Sequence, residues 1–219
     1  KGDLPLGDKT HLITHAPFLA ASWTPGEQFE ILQLIAVLQQ ESTSESHTRY
    51  LDEAARRFVS KMDAKQQQLV LDRGFEWPGA ALGAIAHLPK HPDDALLAKL
   101  IRLDQALVGK EGEAVSRLRI GIAAVLARSG RDKEMAYLRQ LFENEPERRD
   151  ILAVALAQQP KGANWPLLIR SLNILEDSYA LAVMAKLQAV EKNCRDPQAL
   201  RQLILQGLRQ NQDTGRRLA

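Results

Sequence analysis

The chain has 219 residues, of which 45% are hydrophobic and 5% aromatic, and it carries 29 Lys and Arg against 27 Asp and Glu. This composition excludes a disordered polymer, and the net charge of +2 provides no overall attraction to nucleic acid or to an anionic membrane. The single cysteine, Cys194, excludes an intrachain disulfide and a cysteine-based zinc cluster. Abundant Leu, Ala and Gln with few aromatic residues predict an all-α protein.

The first 23 residues are interrupted by glycine and proline, which predicts an extended N-terminal arm over residues 1–23. Within it, His11 and His15 have the i, i+4 spacing that zinc proteases use on a helix. Leu12 stands where that motif needs its general-base glutamate, so we expect a connecting arm and no metal site. We assign no role to the three other histidines, His47, His87 and His91.

Helical patterns begin at "WTPGEQFEILQLIAVLQQ", where Thr24 and Glu27 form the sequence signature of a capping box ahead of a helix over about residues 25–40. The Ser-rich "ESTSESHT" predicts a loop. The following "RYLDEAARRFVSKM" predicts a helix with one apolar stripe. The stripe residues are Tyr50, Leu51, Ala54, Ala55, Phe58 and Val59.

Two shorter helices are predicted next. Asp63 is a cap for "DAKQQQLVLDRG", and Gly74 is its expected stop. The segment "EWPGAALGAIAHLP" predicts a helix of small residues that lets neighbouring helices approach closely.

From residue 93 the sequence consists of pairs of amphipathic segments, and these pairs recur about every 30 to 40 residues. This spacing is typical of stacked helical hairpins. The pairs begin with "DDALLAKLIRLDQAL", "DKEMAYLRQLFE" and "NWPLLIRSLNIL", and "DPQALRQLILQGLRQ" opens a fourth. We therefore predict an α-solenoid, a HEAT/ARM-like superhelix. A single domain over residues 24–219 would comprise an irregular part, 24–92, and regular hairpins, 93–219.

The small residues of "IGIAAVLARSG" resemble the second helix of HEAT-type repeats. A second resemblance is to the helical-repeat region of large secreted proteins from planctomycete-type bacteria, and it rests on the stretches "THLITHAPFLAASW", "RRFVSKMDAKQQQLVLDRGFEWPGAALGAIAHLP" and "RQLILQGLR". That family often joins this region to a c-type cytochrome or a sugar-dehydrogenase-like propeller. The resemblance implies an extracytoplasmic location and a role in spacing or docking modules. The absent C-x-x-C-H motif would place any haem outside this sequence, and the start without methionine suggests part of a longer polypeptide.

Basic residues on the predicted second helices are candidates for a partner-binding concave face. They are Arg117, Arg119, Arg148, Arg149 and Lys186. Stacking of the repeats would align some of them into a ladder for phosphates or for an acidic protein surface. Nearby acidic residues leave a solvated face of mixed charge as the alternative.

Other polar and aromatic candidates have structural explanations. Five aspartates precede or open predicted helices, where a carboxylate caps free N–H groups; they are Asp93, Asp94, Asp132, Asp177 and Asp196. The three tryptophans stand beside proline-marked helix starts, which favours packing over base stacking; they are Trp23, Trp77 and Trp165.

We found no nucleophile elbow, phosphate-binding loop or dinucleotide fingerprint in the sequence. No segment approaches the ~20 apolar residues that span a bilayer, so no membrane insertion is expected. The sequence therefore predicts a noncatalytic helical scaffold without a cofactor, which binds a protein partner or spaces modules of its own polypeptide. The alternative is a nucleic-acid-binding solenoid similar to HEAT-like DNA glycosylases, with a basic concave face that contains an exposed tryptophan and a carboxylate.

Overall fold

The computed structural model describes residues 23–42 and 44–193, together with residues 8, 13 and 198. This part of the chain contains ten α-helices, one 3-10 turn over Pro146–Arg148 and no strand, which confirms the predicted all-α class. The helices are α1 Pro25–Glu41, α2 Glu45–Val59, α3 Ala64–Asp72, α4 Pro78–Ala86, α5 Asp94–Ala106, α6 Glu113–Ser129, α7 Asp132–Asn144, α8 Arg149–Leu156, α9 Asn164–Ser171 and α10 Asp177–Asn193.

The predicted helix caps are present at three helix starts. Thr24 and Glu27 form a reciprocal capping box on α1, in which the Glu27 carboxylate accepts from the Thr24 backbone N–H at 2.7 Å. Asp63 and Gln66 form a second capping box on α3. The Asp93 carboxylate accepts from the backbone N–H of Leu96 at 2.8 Å. These caps satisfy N–H groups that have no partner within the helix.

Helix α2 is longer than its predicted span. It begins at Glu45, directly after Ser44, so most of the predicted loop is helical, and the non-helical residues described between α1 and α2 are Ser42 and Ser44. Five of the six predicted stripe residues are buried, whereas Tyr50 is 60% exposed. The prediction was wrong for Tyr50 because its position, one residue before Leu51, turns it away from the centre of the stripe.

Gly74 does not end α3 through a left-handed conformation, because its φ is not positive and the helix already ends at Asp72. A Cβ at position 74 would lie 2.8 Å from Cδ2 of Leu103 and 3.0 Å from Cβ of Ala81. The glycine therefore serves close packing and not helix termination.

The tertiary contacts group the chain into two compact units, residues 1–122 and 123–219, and the boundary falls within α6. In the first unit α2 packs against α1 and α4, and α3 packs against α4 and α5. In the second unit α8 packs against α7, α9 and α10. The expected single domain over residues 24–219 stays a prediction.

Small residues let α4 approach α2, as the sequence predicts. A Cβ at Gly83 would lie 3.0 Å from Cα of Arg56, and a Cβ at Gly79 would collide with the Asp52 carboxylate. The core of the first unit includes Leu51, Phe58, Leu97, Leu100 and Leu118, and that of the second includes Leu126, Leu138, Phe142, Leu152 and Leu168.

Most of the predicted N-terminal arm lies outside the described residues, including His11 and His15. Asp8 and Ile13 are described; both have helical backbone and Ile13 is buried, so the expected extended conformation is wrong at these two positions. The fourth hairpin, with Asp196, and the single cysteine also lie outside the described part, apart from residue 198.

Candidate functional site

The outward side of α2 carries a chain of ion pairs that reaches α6. Arg49 approaches Glu45 at 3.5 Å and Glu113 at 3.3 Å. Glu113 also pairs with Arg117, one of the predicted binding residues. Because these groups are substantially exposed, each pair contributes little to folding stability. The pairs instead fix where positive and negative charges lie.

Five side chains of α2 line an open cleft of about 460 Å³ beside this ion-pair chain. We call them the α2 face: Glu45, Ser46, Arg49, Tyr50 and Glu53. Tyr50 exposes 60% of its surface there, between acidic and basic neighbours. Sequence reasoning missed this face because Tyr50 was placed in the apolar stripe. Its signal was a large aromatic residue at the edge of that stripe, among charged residues.

Asp52 of α2 is buried where this helix meets α1 and α4. It is only 4% exposed, it accepts a hydrogen bond from Nε2 of Gln39 in α1 at 2.6 Å, and it lies against Gly79 at the start of α4. Burial raises the pKa of the Asp52 carboxyl above its ordinary value; the Gln39 hydrogen bond and the Arg56 charge oppose that rise. This partly buried hydrogen bond between helices ties α2, which carries the α2 face, to α1.

The predicted basic residue Arg119 points into the first unit. Its Nε and Nη2 donate to Oδ1 and Oδ2 of Asp104 at 3.0 and 3.2 Å, and the two side chains are only 10% and 1% exposed. This two-pronged pair joins α6 to α5. Arg119 is therefore a core residue of the first unit, whereas Arg117 stays at the surface, 45% exposed.

The other predicted basic residues lie in the second unit, each in its own surroundings. Arg148 pairs with Glu145 at 2.7 Å, and both side chains are largely buried. Arg149 donates to the backbone carbonyls of Phe142 and Glu143, which lie in the last turn of α7. Lys186 is exposed on α10. The arginines thus satisfy local acids and carbonyls, and the predicted ladder stays a prediction.

The tryptophan rings are used in packing. Trp77 is 4% exposed, stacks on Phe29 with ring centroids 5.9 Å apart and carries the Arg73 guanidinium 4.1 Å from its ring centroid. Trp23 contacts Phe58 with ring centroids 5.7 Å apart. Trp165 is 7% exposed. Trp77 and Trp165 are thus buried and Trp23 is partly exposed, and the rings of Trp23 and Trp77 each contact another aromatic ring.

The described residues contain no group of three or more His, Cys, Asp or Glu side chains placed to hold a metal ion. Over the same residues, no helix has both the length and the apolar content needed to cross a bilayer.

Family models, curated proteins and solved structures were compared with the chain, and none of them matches it. The structure thus defines an all-α protein built of short packed helices. The resemblance to helical-repeat regions of secreted planctomycete-type proteins stays a prediction.

Proposed function

We propose that this chain is a noncatalytic helical scaffold that binds a protein partner through the α2 face. The observation that carries the proposal is the exposed Tyr50 in a cleft beside Arg49. Tyrosine and arginine are enriched at the centres of protein interfaces, because each offers a large contact area together with a polar group. The partly buried hydrogen bond between Asp52 and Gln39 ties α2 to α1 and so supports a preformed surface, which lowers the entropic cost of binding.

The proposal includes a HEAT-like arrangement of the helices. Within each unit, helices pack against their neighbours in sequence and against the helix after next, as α2 does with α4 and α8 with α10. This pattern supports stacked hairpins, in which each pair covers the apolar face of the next. A role in spacing modules of a longer polypeptide outside the cytoplasm rests on the family resemblance alone.

The charge pattern favours a protein partner over nucleic acid. Acidic residues alternate with basic ones on and beside the α2 face, and Glu113 forms ion pairs with both Arg49 and Arg117. A phosphate backbone would have to displace these carboxylates. A polar protein surface with its own mixed charges would complement them. Nucleic-acid binding remains the alternative prediction.

Site-specific photo-crosslinking tests this function. The full chain would carry a benzoyl-phenylalanine at position 50 in its native host, and a matched chain would carry it at Leu181, which is 61% exposed in the second unit. We expect one discrete protein adduct from position 50 that is lost when Arg49→Glu is added. The same adducts from both positions, or an adduct with nucleic acid at position 50, would overturn the proposal.

A further inference from the structure

The second unit contains a cavity of about 420 Å³ near the start of α7, the α8–α9 loop and the start of α9. Its side-chain lining comprises Asp132, Met135, Arg139, Gln159, Lys161 and Asn164. This volume is in the range of cavities that bind small molecules. The lining combines two cations, one carboxylate, two neutral amides and the apolar side chain of Met135, so its net charge differs in sign from that of the α2 face.

Arg139 is held in position without an acidic partner. Its Nη1 donates to Oδ1 of Asn164 at 2.6 Å, and no carboxylate among the described residues forms an ion pair with it. By contrast, the guanidinium groups of Arg119 and Arg148 are matched by nearby carboxylates. A half-buried guanidinium that lines a cavity and contacts only a neutral amide has remaining donors for an oxyanion.

Asn164 fixes the orientation of that guanidinium. It is only 3% exposed, and its Nδ2 donates to the backbone carbonyl of Gln159 at 2.8 Å. With its amide nitrogen committed to this carbonyl, the amide oxygen must face Arg139. The arginine is thereby oriented before any ligand arrives, which reduces the entropy lost on binding.

The charges around the cavity favour an anion. Lys161 is exposed on the α8–α9 loop and supplies a second cation. Asp132 opposes them from the first turn of α7 and is exposed to solvent, which screens its charge. The side chains of Arg139, Lys161 and Asp132 together leave one net positive charge on the lining.

We propose that this cavity binds a small organic anion through a carboxylate or phosphate group, with Arg139 as the principal contact and Lys161 as the second cation. Met135 would contact the apolar part of the ligand. The site is independent of the α2 face and does not rest on the proposed protein-binding function.

Titration of the full chain with two probes, inorganic phosphate and succinate, tests the proposal. Binding would be followed by amide chemical shifts of Gly130 and Gly162, which line the cavity, at an ionic strength held constant with chloride. We expect at least one probe to saturate these shifts, and the probe that does so identifies the preferred oxyanion. Arg139→Gln should weaken binding about tenfold or more, as expected for loss of a charge-assisted hydrogen bond.

Two further variants complete the test: one should strengthen binding, and the other is a control that should leave it unchanged. Asp132→Asn should strengthen binding, because it removes the opposing charge. Arg102→Gln, at an exposed position of α5 in the first unit, loses the same charge as Arg139→Gln and should leave binding unchanged.

If Arg139→Gln does not fold, Lys161→Gln on the exposed loop provides the second cation test, with an expected loss of about threefold or more. Equal, unsaturated shifts with phosphate, succinate and chloride would overturn the proposal. So would an Arg102→Gln variant that loses as much affinity as the cavity variants.

Discussion

Gly83 lies where α4 crosses α2, and there is no room for a side chain at that crossing. A Cβ at this position would lie 3.0 Å from Cα and 3.2 Å from the carbonyl oxygen of Arg56. Because both atoms belong to the backbone, relief requires the helices to separate. We expect Gly83→Ala to lower the free energy of unfolding in urea by about 1–3 kcal/mol, the usual cost of overpacking.

Gly26 provides the matched control. It lies in the first turn of α1, and a Cβ there would have only Oγ1 of Thr24 nearby, at 4.0 Å. Gly26→Ala should change stability by less than about 1 kcal/mol, and in the stabilising direction, because alanine restricts the unfolded chain. Equal losses for the two substitutions would contradict the close approach of α4 to α2.

The buried Asp52 predicts a pH-dependent contribution to stability. Burial raises the pKa of Asp52 in the folded state above its ordinary value of 3.8. The folded chain therefore takes up this proton more readily than the unfolded chain. The resulting stabilisation is present below pH 3.8 and is lost as the pH rises through the raised pKa of the folded state.

Asp52→Asn tests that linkage. Asparagine keeps an oxygen that can accept from Gln39 but cannot become charged, so the variant should be more stable than the wild type at neutral pH. This advantage should shrink as the pH falls toward 3.8, as measured by urea unfolding at several pH values. Glu147→Gln, at an exposed position of the 3-10 turn, should show no such trend. An advantage for Asp52→Asn that stays constant with pH would contradict the interpretation.

At the scale of elements, one buried ion pair joins α5 to α6. Replacing Arg119 with methionine would leave the Asp104 carboxylate, 1% exposed, without the guanidinium that now binds both of its oxygens. We expect Arg119→Met to cost about 3–5 kcal/mol in the free energy of unfolding. The double variant Arg119→Met with Asp104→Leu should recover much of that loss, because the buried carboxylate is removed as well.

The neighbouring pair of Arg117 and Glu113 is a control at the surface, in which an arginine again pairs with a carboxylate. Their side chains are 45% and 34% exposed, so Arg117→Met should cost less than about 1 kcal/mol. If Arg117→Met destabilised the chain as much as Arg119→Met, the expectation that burial makes the loss of an ion pair costly would be contradicted.

The helix starts show what the sequence could predict about the elements. The capping boxes of α1 and α3 involve residues three positions apart, so local spacing is sufficient to identify them. The pairing of Arg119 with Asp104 could not be predicted in this way. These two residues stand on different helices, fifteen positions apart, and only their tertiary packing brings them together. A basic residue predicted to bind a partner was therefore found in the core.

The exposed face of α2 was missed for a related reason. A periodic apolar pattern indicates which side of a helix is buried, but it does not define the edge of the stripe. Tyr50 stands at that edge, and its 60% exposure depends on how α1 and α4 pack against α2.

At the scale of the whole molecule, the order of helices could be predicted and their grouping could not. The amphipathic segments and their turns correspond to the helices from α5 to α10, because periodicity is a local property. The division into two compact units within α6 depends on which apolar faces meet. An apolar helix face has the same sequence pattern whether it packs within one unit or against the next hairpin. The sequence pattern therefore could not predict the division into units.

The net charge of the chain predicts how it should bind DNA, and DNA binding separates a nucleic-acid-binding solenoid from a protein-binding scaffold. With 29 basic and 27 acidic residues, the chain has little charge in excess, and several arginines proposed for a phosphate ladder are already satisfied by Asp104, Glu113 or Glu145. Few of the basic residues predicted to form that ladder are therefore available to release counterions from DNA. Binding to a random 20-base-pair duplex should be weaker than micromolar and should fall less than about tenfold between 50 and 200 mM salt.

Fluorescence anisotropy of the labelled duplex at the two salt concentrations measures this dependence, with Arg117→Gln and Lys186→Gln as variants of the exposed predicted residues. A loss of about 10³-fold or more between these concentrations would indicate six or more phosphate contacts. That result, if it were reduced by both variants, would favour the nucleic-acid alternative. It would also require Glu113 to release Arg117 on binding, so Glu113→Gln, which frees that guanidinium in advance, should strengthen binding to the duplex without reducing its salt dependence. A weak, salt-insensitive interaction in every variant would argue against the nucleic-acid alternative.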